Sequence, residues 1–292
     1  VSIFCHDNLT YTDAYAPEVP ATMINDDTST QSYKLTLTYD GREYFGWQRH
    51  GKNPTIQLEC EKAISRELGV RVAVQASGRT DRGAHAHGQV ASIELPEIVE
   101  ELDLKDRLNR SLPGDIRIVS VNKAAPGFHA RDDCIGKRYR YLIWNGSELP
   151  SSLDGRVWHV KSPLDVEAMK AARSIFMGEK DFASFATRSN YNQKSTVRTI
   201  SLVEIIDRDQ TITIDICADG FLYKMVRNIV RAIVKVGEGR YSRADLAGIL
   251  KKKDRKAAPG TAPASGLYLE KVYYSSVEKE RDKENVLNHE HV

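Results

Sequence analysis

Asp81 lies between Arg79 and Arg82 in the run Ala76-Ser77-Gly78-Arg79-Thr80-Asp81-Arg82-Gly83-Ala84-His85-Ala86-His87-Gly88-Gln89-Val90. One carboxylate between two guanidinium groups is an anion with its counter-charges at hand. Gly78 and Gly83 would let the backbone bend sharply on either side of it. A carboxylate so placed can serve as a nucleophile or as a base. The same residue types also suit a plain turn in which Asp81 bonds its own backbone. Val70 to Val74 before the run and Val90 to Leu95 after it alternate apolar and polar residues, so the run is expected as a loop between two strands.

Three further stretches carry residue types suited to a polyanionic partner. Arg42 to Arg49 interleaves Tyr44, Phe45 and Trp47 with basic residues, which suits stacking on bases and charge on phosphate, or simply an edge of the core. Lys137 to Trp144 reads as a strand with Tyr139, Tyr141 and Ile143 on one face and Arg138 and Arg140 on the other. Two arginines on one strand face are costly to bury unpaired, so that face is expected to meet solvent, an acid or a phosphate. Phe221 to Val236 is the strongest helix, with an apolar stripe from Leu222 to Val236. Its basic face of Lys224, Arg227, Asn228, Arg231 and Lys235 reads as mostly solvated.

The elements that must hold these residues follow from period and punctuation. Tyr33 to Tyr39 alternates as a half-buried strand. A helix from Pro54-Thr55 to Leu68 closes at Gly69, and another from Leu102 to Leu112 stops at Pro113-Gly114, ahead of a strand at Ile116. The second half predicts a helix over Asp165 to Met177, a hairpin of Ile200–Ile206 with Thr211–Cys217, a helix capped by Ser242 and Asp245, and a last strand over Leu267 to Tyr274. This order is α+β with a mixed or antiparallel sheet rather than a repeated βα unit. Residues 1–31 and 275–292 show no period and read as a disordered acidic tail and a disordered charged tail. Between them a unit over 32–130 carries the Asp81 loop and a second unit spans 131–274.

Of the 292 residues, 41% are hydrophobic, enough for a core. The formal charge of +2 conceals an asymmetry. Residues 1–31 hold five acids and no Lys or Arg, leaving 42 basic residues against 35 of the 40 acids, a formal +7, in the remainder. That bias permits a phosphate-rich partner. Cys5, Cys60, Cys134 and Cys217 are scattered without a Cys-x-x-Cys pair, which argues against a zinc site or a disulfide framework and fits a reducing compartment. No apolar run reaches the roughly 20 residues of a membrane span.

Taken in order, these segments resemble the TruA-type tRNA pseudouridine synthases. The resemblance is carried by Tyr39-Asp40-Gly41, Gly46-Trp47-Gln48-Arg49, Gly78-Arg79-Thr80-Asp81-Arg82-Gly83 with His85, Gly88-Gln89-Val90, Leu112-Pro113-Gly114-Asp115-Ile116 and Phe128-His129-Ala130-Arg131. It continues through Arg138-Tyr139-Arg140-Tyr141, Asp181-Phe182, Met225-Val226-Arg227-Asn228-Ile229-Val230 and Gly266-Leu267-Tyr268-Leu269. It covers about residues 33–274. Ala84 stands where the family usually has Val, and the acidic tail is extra.

The resemblance implies two RRM-like, ferredoxin-like α/β subdomains whose mostly antiparallel sheets meet at a central basic cleft. It implies a homodimer gripping tRNA and isomerising uridine to pseudouridine at anticodon stem-loop positions 38 to 40, with no metal and no organic cofactor. Asp81 matches the catalytic aspartate, and Arg79 an arginine that helps displace the target nucleotide. Tyr139 matches a tyrosine stacked near the uracil, Arg227 the arginine paired with the aspartate, and Leu267 a further substrate-binding position. Arg49, Arg82, His85, Arg138 and Arg140 are expected to contact RNA. The expected location is the cytoplasm for a bacterial source and the chloroplast or mitochondrion for a eukaryotic one, with no membrane partner.

Pseudouridine formation breaks the bond from C1′ to N1, turns the uracil and joins C1′ to C5, so the target must leave the base stack. Whether the carboxylate attacks the sugar or the base, or accepts a proton, stays open. A silent RNA-binding module of the same fold is the competing reading; it has no need of Asp81, Tyr139 and Arg227 together. An aspartate-nucleophile phosphoester hydrolase would need a metal cluster or a P-loop, and neither pattern is present.

Overall fold

The structure is a computed structural model that describes residues 30–187 and 195–288. In chain order the elements are β1 (Gln31–Tyr39), α1 (Ile56–Leu68), β2 (Gln75–Ala76), β3 (His85–Leu95), α2 (Glu101–Ser111), β4 (Ile116–Lys123), β5 (Gly136–Trp144) and β6 (Trp158–His159). Then come α3 (Val166–Ala172), β7 (Gly178–Asp181), β8 (Val197–Arg208), β9 (Thr211–Ala218), α4 (Met225–Gly237), α5 (Arg243–Lys252), β10 (Leu267–Tyr273) and α6 (Ser276–Asn288). The described strands form one mixed, mostly antiparallel sheet in the order β4-β1-β3-β10-β5-β9-β8-β7, with β2 on β3 and β6 on β5.

The last strand joins the two halves. β10 runs parallel to β3, with Tyr268 opposite His85 and Leu269 opposite Ala86. On its other side it runs antiparallel to β5, with Leu267 opposite Tyr141 and Leu269 opposite Tyr139. The start of β3, the middle of β5 and the start of β10 are thereby brought side by side. Helix α1 is capped as its sequence requires, by the Thr55 side chain at one end and left-handed Gly69 at the other. Helix α5 has the full capping box of Ser242 and Asp245.

Several expected boundaries are corrected. Val70 to Val74 is not a strand; only Gln75 and Ala76 pair with β3. β3 begins at His85 rather than Val90, so both histidines lie on a strand and not on the loop. α3 ends at Ala172 and gives way to a 3-10 turn over Arg173–Ile175. α4 begins at Met225, because Lys224 takes the left-handed conformation with φ 59°. Its basic face is only partly solvated. Asn228 is fully buried and donates to the Phe185 carbonyl at 2.7 Å, and the Arg231 guanidinium lies 5.1 Å over the Trp158 ring.

The expected tail from residue 275 is helix α6 as far as Asn288. Its anchors are one carboxylate and one valine. Asp282 accepts from Arg138 Nε at 2.7 Å and bonds the Tyr273 hydroxyl, while Val286 packs with Leu202, Cys217 and Tyr273. A helix held by so few buried positions carries no apolar stripe for a periodicity reading to find. The expected N-terminal tail lies outside the described residues except for its last two positions, and Gln31 already opens β1.

Candidate active site

Asp81 sits on the loop between β2 and β3, and neighbouring side chains pin that loop on both sides of it. Gln89, buried on β3, donates from Nε2 to the Gly78 carbonyl at 2.8 Å and to Tyr39 Oη at 3.3 Å, and it accepts from Ser77 Oγ at 3.0 Å. Tyr39 Oη shares a 2.9 Å hydrogen bond with Thr80 Oγ1. The Trp47 N–H donates to the Thr80 carbonyl at 3.1 Å, and the Gly83 N–H to the Tyr44 carbonyl at 3.3 Å. The loop is therefore a rigid shelf, and its donors and acceptors find partners as buried polar groups must.

The Arg42 to Arg49 stretch serves as the other wall of this shelf. Trp47 and Tyr44 are buried in the core, and the half-buried Phe45 ring lies under the Arg82 guanidinium at 4.1 Å. Close approach depends on two glycines. A Cβ on Gly41 would stand 1.9 Å from the Ala84 carbonyl oxygen, and one on Gly46, at φ +88°, 2.6 Å from that of Thr80.

Arg227 comes from the first turn of α4 and hydrogen-bonds Asp81 through Nη1. Its Nε donates to the Ala262 carbonyl at 2.7 Å, and the Ala262 N–H returns a bond to the Arg227 carbonyl at 3.2 Å. The guanidinium is thus aimed before any substrate arrives. The pair is largely but not wholly covered, with side-chain exposures of 13% for Arg227 and 19% for Asp81. An ion pair with one open side can meet a substrate.

Tyr139 lies on the buried face of β5, edge-on to Phe221 at 5.0 Å between ring centroids. Burial above all, with the nearby Asp81 charge adding to it, pushes its hydroxyl above the ordinary value, so it remains a neutral phenol. Tyr141 donates to the Pro263 carbonyl at 2.7 Å. Leu267 and Leu269 face these tyrosines across the ladder and share their side of the sheet. Asp81, Arg227, Tyr139 and Leu267, which lie far apart in the chain, are therefore carried to one region. Arg79 is exposed two residues before Asp81.

Three residues expected to contact RNA have partners within the fold, and the Arg138–Arg140 face meets an acid, one of its expected outcomes. His85 is buried at 2% exposure and stacks on Tyr268 at 4.6 Å. Its Nδ1 accepts from the Gly41 N–H at 3.1 Å, which leaves Nε2–H to donate to the Gly155 carbonyl at 3.1 Å. Burial lowers its pKa against the opposing pull of Asp40, and both ring nitrogens are spent on holding the fold. Arg138 donates to Asp215 at 2.9 Å and to Asp282 at 2.7 Å beneath α6. Arg140 makes a forked pair with the same Asp215 carboxylate. Both arginines lie on the face of β5 opposite Tyr139, and acids have already claimed them. Arg49 is at the surface, 3.2 Å from Glu61.

Sequence reasoning missed the roles of Gln89 and Tyr39. Both lie in segments quoted above, but nothing in a linear pattern shows that a strand amide reaches back eleven residues to a loop carbonyl.

A protein family described as tRNA pseudouridine synthase matches residues 172–275 of this chain. A protein named tRNA pseudouridine synthase A from Methylacidiphilum infernorum is 41% identical over 242 residues, covering 83% of this chain and 95% of that one. A namesake from Acetivibrio thermocellus is 42% identical over 245 residues, covering 84% of this chain and the whole of its own. Among solved structures, the archaeal box H/ACA sRNP Nop10-Cbf5 complex aligns over 76% of this chain and 58% of that one, at 14% identity and TM-score 0.32. That likeness is too loose to add to the sequence relationship.

Proposed function

This chain belongs to the tRNA pseudouridine synthase A family, isomerases that convert uridine in tRNA to pseudouridine, and we propose that it does so with Asp81 as the catalytic carboxylate. The observation that carries the reading is the Asp81–Arg227 pair, held on a pinned loop and open on one side, with Tyr139 on the adjoining strand face. A uridine drawn out of the base stack would place its ring against Tyr139 and its ribose toward Asp81. Asp81 then either attacks the sugar or the base, or accepts a proton from the sugar. The C1′–N1 bond breaks, the freed uracil turns while held in the site, and C5 bonds to C1′ as its hydrogen leaves. Arg227 holds the carboxylate in a fixed orientation, which lowers the reorganisation needed during the reaction.

The target positions, 38 to 40 of the anticodon stem-loop, and the homodimer that grips the tRNA belong to the same proposal. They are supported by the motif resemblance over residues 33–274.

The test is tritium release from tRNA labelled at uridine C5, with wild type and Asp81→Asn side by side. Release by wild type and none by the variant, with tRNA binding kept within a few-fold, is the expected result. Release by both would remove Asp81 from the chemistry. No release by either, with tRNA still bound, would favour a silent RNA-binding module. Mapping the product on tRNA with uridine at only one of positions 38, 39 and 40 checks the target, and light scattering checks the dimer.

A further inference from the structure

Lys137 is a cation the mechanism above does not use. It lies near the start of β5, two residues before Tyr139 and therefore on the same strand face. Its side chain rests against the catalytic loop. A Cβ built on Gly78 would meet Lys137 Cε at 3.3 Å and Nζ at 3.7 Å, so the absence of a side chain at Gly78 makes room for the ammonium three residues before Asp81. The side chain is half-buried.

Its partners do not match its charge. Among the described residues its side-chain partner is the Cys134 thiol, which itself donates to the Gly136 carbonyl at 3.3 Å. Thiol sulfur is a weak acceptor. No carboxylate of the described residues pairs with Lys137, and Arg131 is near enough to add a like charge. The other covered cations of this region are treated differently: Arg138 has Asp215 and Asp282, and Arg227 has Asp81. Burial accordingly lowers the Lys137 pKa. A covered ammonium with three donors and no anion is costly unless a ligand supplies the counter-charge.

We propose that Lys137 forms a phosphate subsite, with Arg131 beside it, that receives a backbone phosphate next to the target uridine. The inference rests on the tRNA-modifying reading above and adds a residue to it. An ammonium is a compact point charge that suits a phosphate oxygen, whereas the uracil carbonyls are neutral and would leave the charge unmatched. A phosphate held at Gly78 would fix the backbone on one side of the flipped nucleotide while Tyr139 holds the base.

The test uses tRNA binding in the Asp81→Asn protein, so that substrate is not consumed. Lys137→Met keeps the stem that packs on Gly78 and removes the charge; Lys137→Arg keeps the charge. Lys137→Met is expected to weaken tRNA binding about tenfold. It should also reduce the slope of log affinity against log salt by about 0.7 to 0.9, the share of one phosphate. Lys137→Arg should stay within a few-fold of the parent. A tRNA with an uncharged methylphosphonate beside the target uridine should bind the parent more weakly by a similar factor, with no further loss in Lys137→Met.

Unchanged affinity and slope in Lys137→Met would overturn the proposal and leave Lys137 as a packing residue. Additive losses from the variant and the methylphosphonate would overturn it as well. If Lys137→Met fails to fold, the methylphosphonate still decides on the parent protein, since indifference to it rules the subsite out. Failure of the underlying reading shows separately, as absence of tritium release by wild type.

Discussion

Arg227 is fixed by the Ala262 carbonyl through Nε and reaches Asp81 through Nη1, so one planar group makes two contacts at set angles. Lysine carries the same charge on a single atom and cannot make both. Arg227→Lys is therefore expected to lower the single-turnover rate of tritium release by about 10²-fold. Because the pair is partly open to water, the variant should lose only about 1 kcal/mol of stability by urea unfolding. A rate within threefold of wild type would show that charge alone suffices. At this scale the sequence by itself singled out Asp81, and only the motif resemblance added Tyr139 and Arg227, which the structure brings to the same region. It was least legible where a charged residue has a private partner. For His85 and Arg138 a sequence displays a charge and conceals the Gly155 carbonyl or the Asp282 carboxylate that it bonds.

At the scale of elements, the site depends on how two loops lean on β3. Gly46 is one of the close approaches, and alanine there would take an unfavourable φ and press on the Thr80 carbonyl. Gly46→Ala is expected to cost about 1–3 kcal/mol in chemical denaturation and to slow turnover by shifting Thr80 and hence Asp81. Gln89→Leu tests the other support. It leaves the Gly78 carbonyl, the Ser77 hydroxyl and the Tyr39 hydroxyl each short of a partner. A shelf loosened in this way should lower kcat by about 10²-fold with KM nearly unchanged, because the tRNA-binding surface is untouched. A rise in KM at constant kcat would instead make Gln89 part of the binding surface. Helices α1 and α5 were readable because caps and an apolar stripe are local signals. The start of β3 was not, because its pairing partners β1 and β10 lie about 50 and 180 residues away, and local alternation cannot register them.

At the scale of the whole molecule, β10 closes the sheet over the site and α6 locks the opposite face. The lock is ionic. Arg138 lies between Asp215 and Asp282, and Tyr273 adds its hydroxyl to Asp282. Burial is the largest influence on the Asp282 carboxyl and pushes its pKa up. The Tyr273 hydroxyl and the Arg138 guanidinium together more than offset it and hold the carboxyl below its ordinary value of 3.8. A carboxyl depressed in the folded state adds stability that is fully present above its unfolded value and disappears as pH falls through the lower folded one. Unfolding free energy is therefore expected to hold steady near neutrality and to drop once the pH passes below 3.8. Asp282→Asn should lose about 2 kcal/mol at neutral pH, less than the roughly 3–5 kcal/mol of breaking a fully buried pair because Asp215 still serves Arg138, and should show a shallower fall in acid. The same variant bears on the role of Arg138. If that arginine is committed to the fold, releasing it from one carboxylate leaves tRNA affinity within a few-fold, whereas a large change in affinity or in its salt dependence would return Arg138 to the RNA-binding surface.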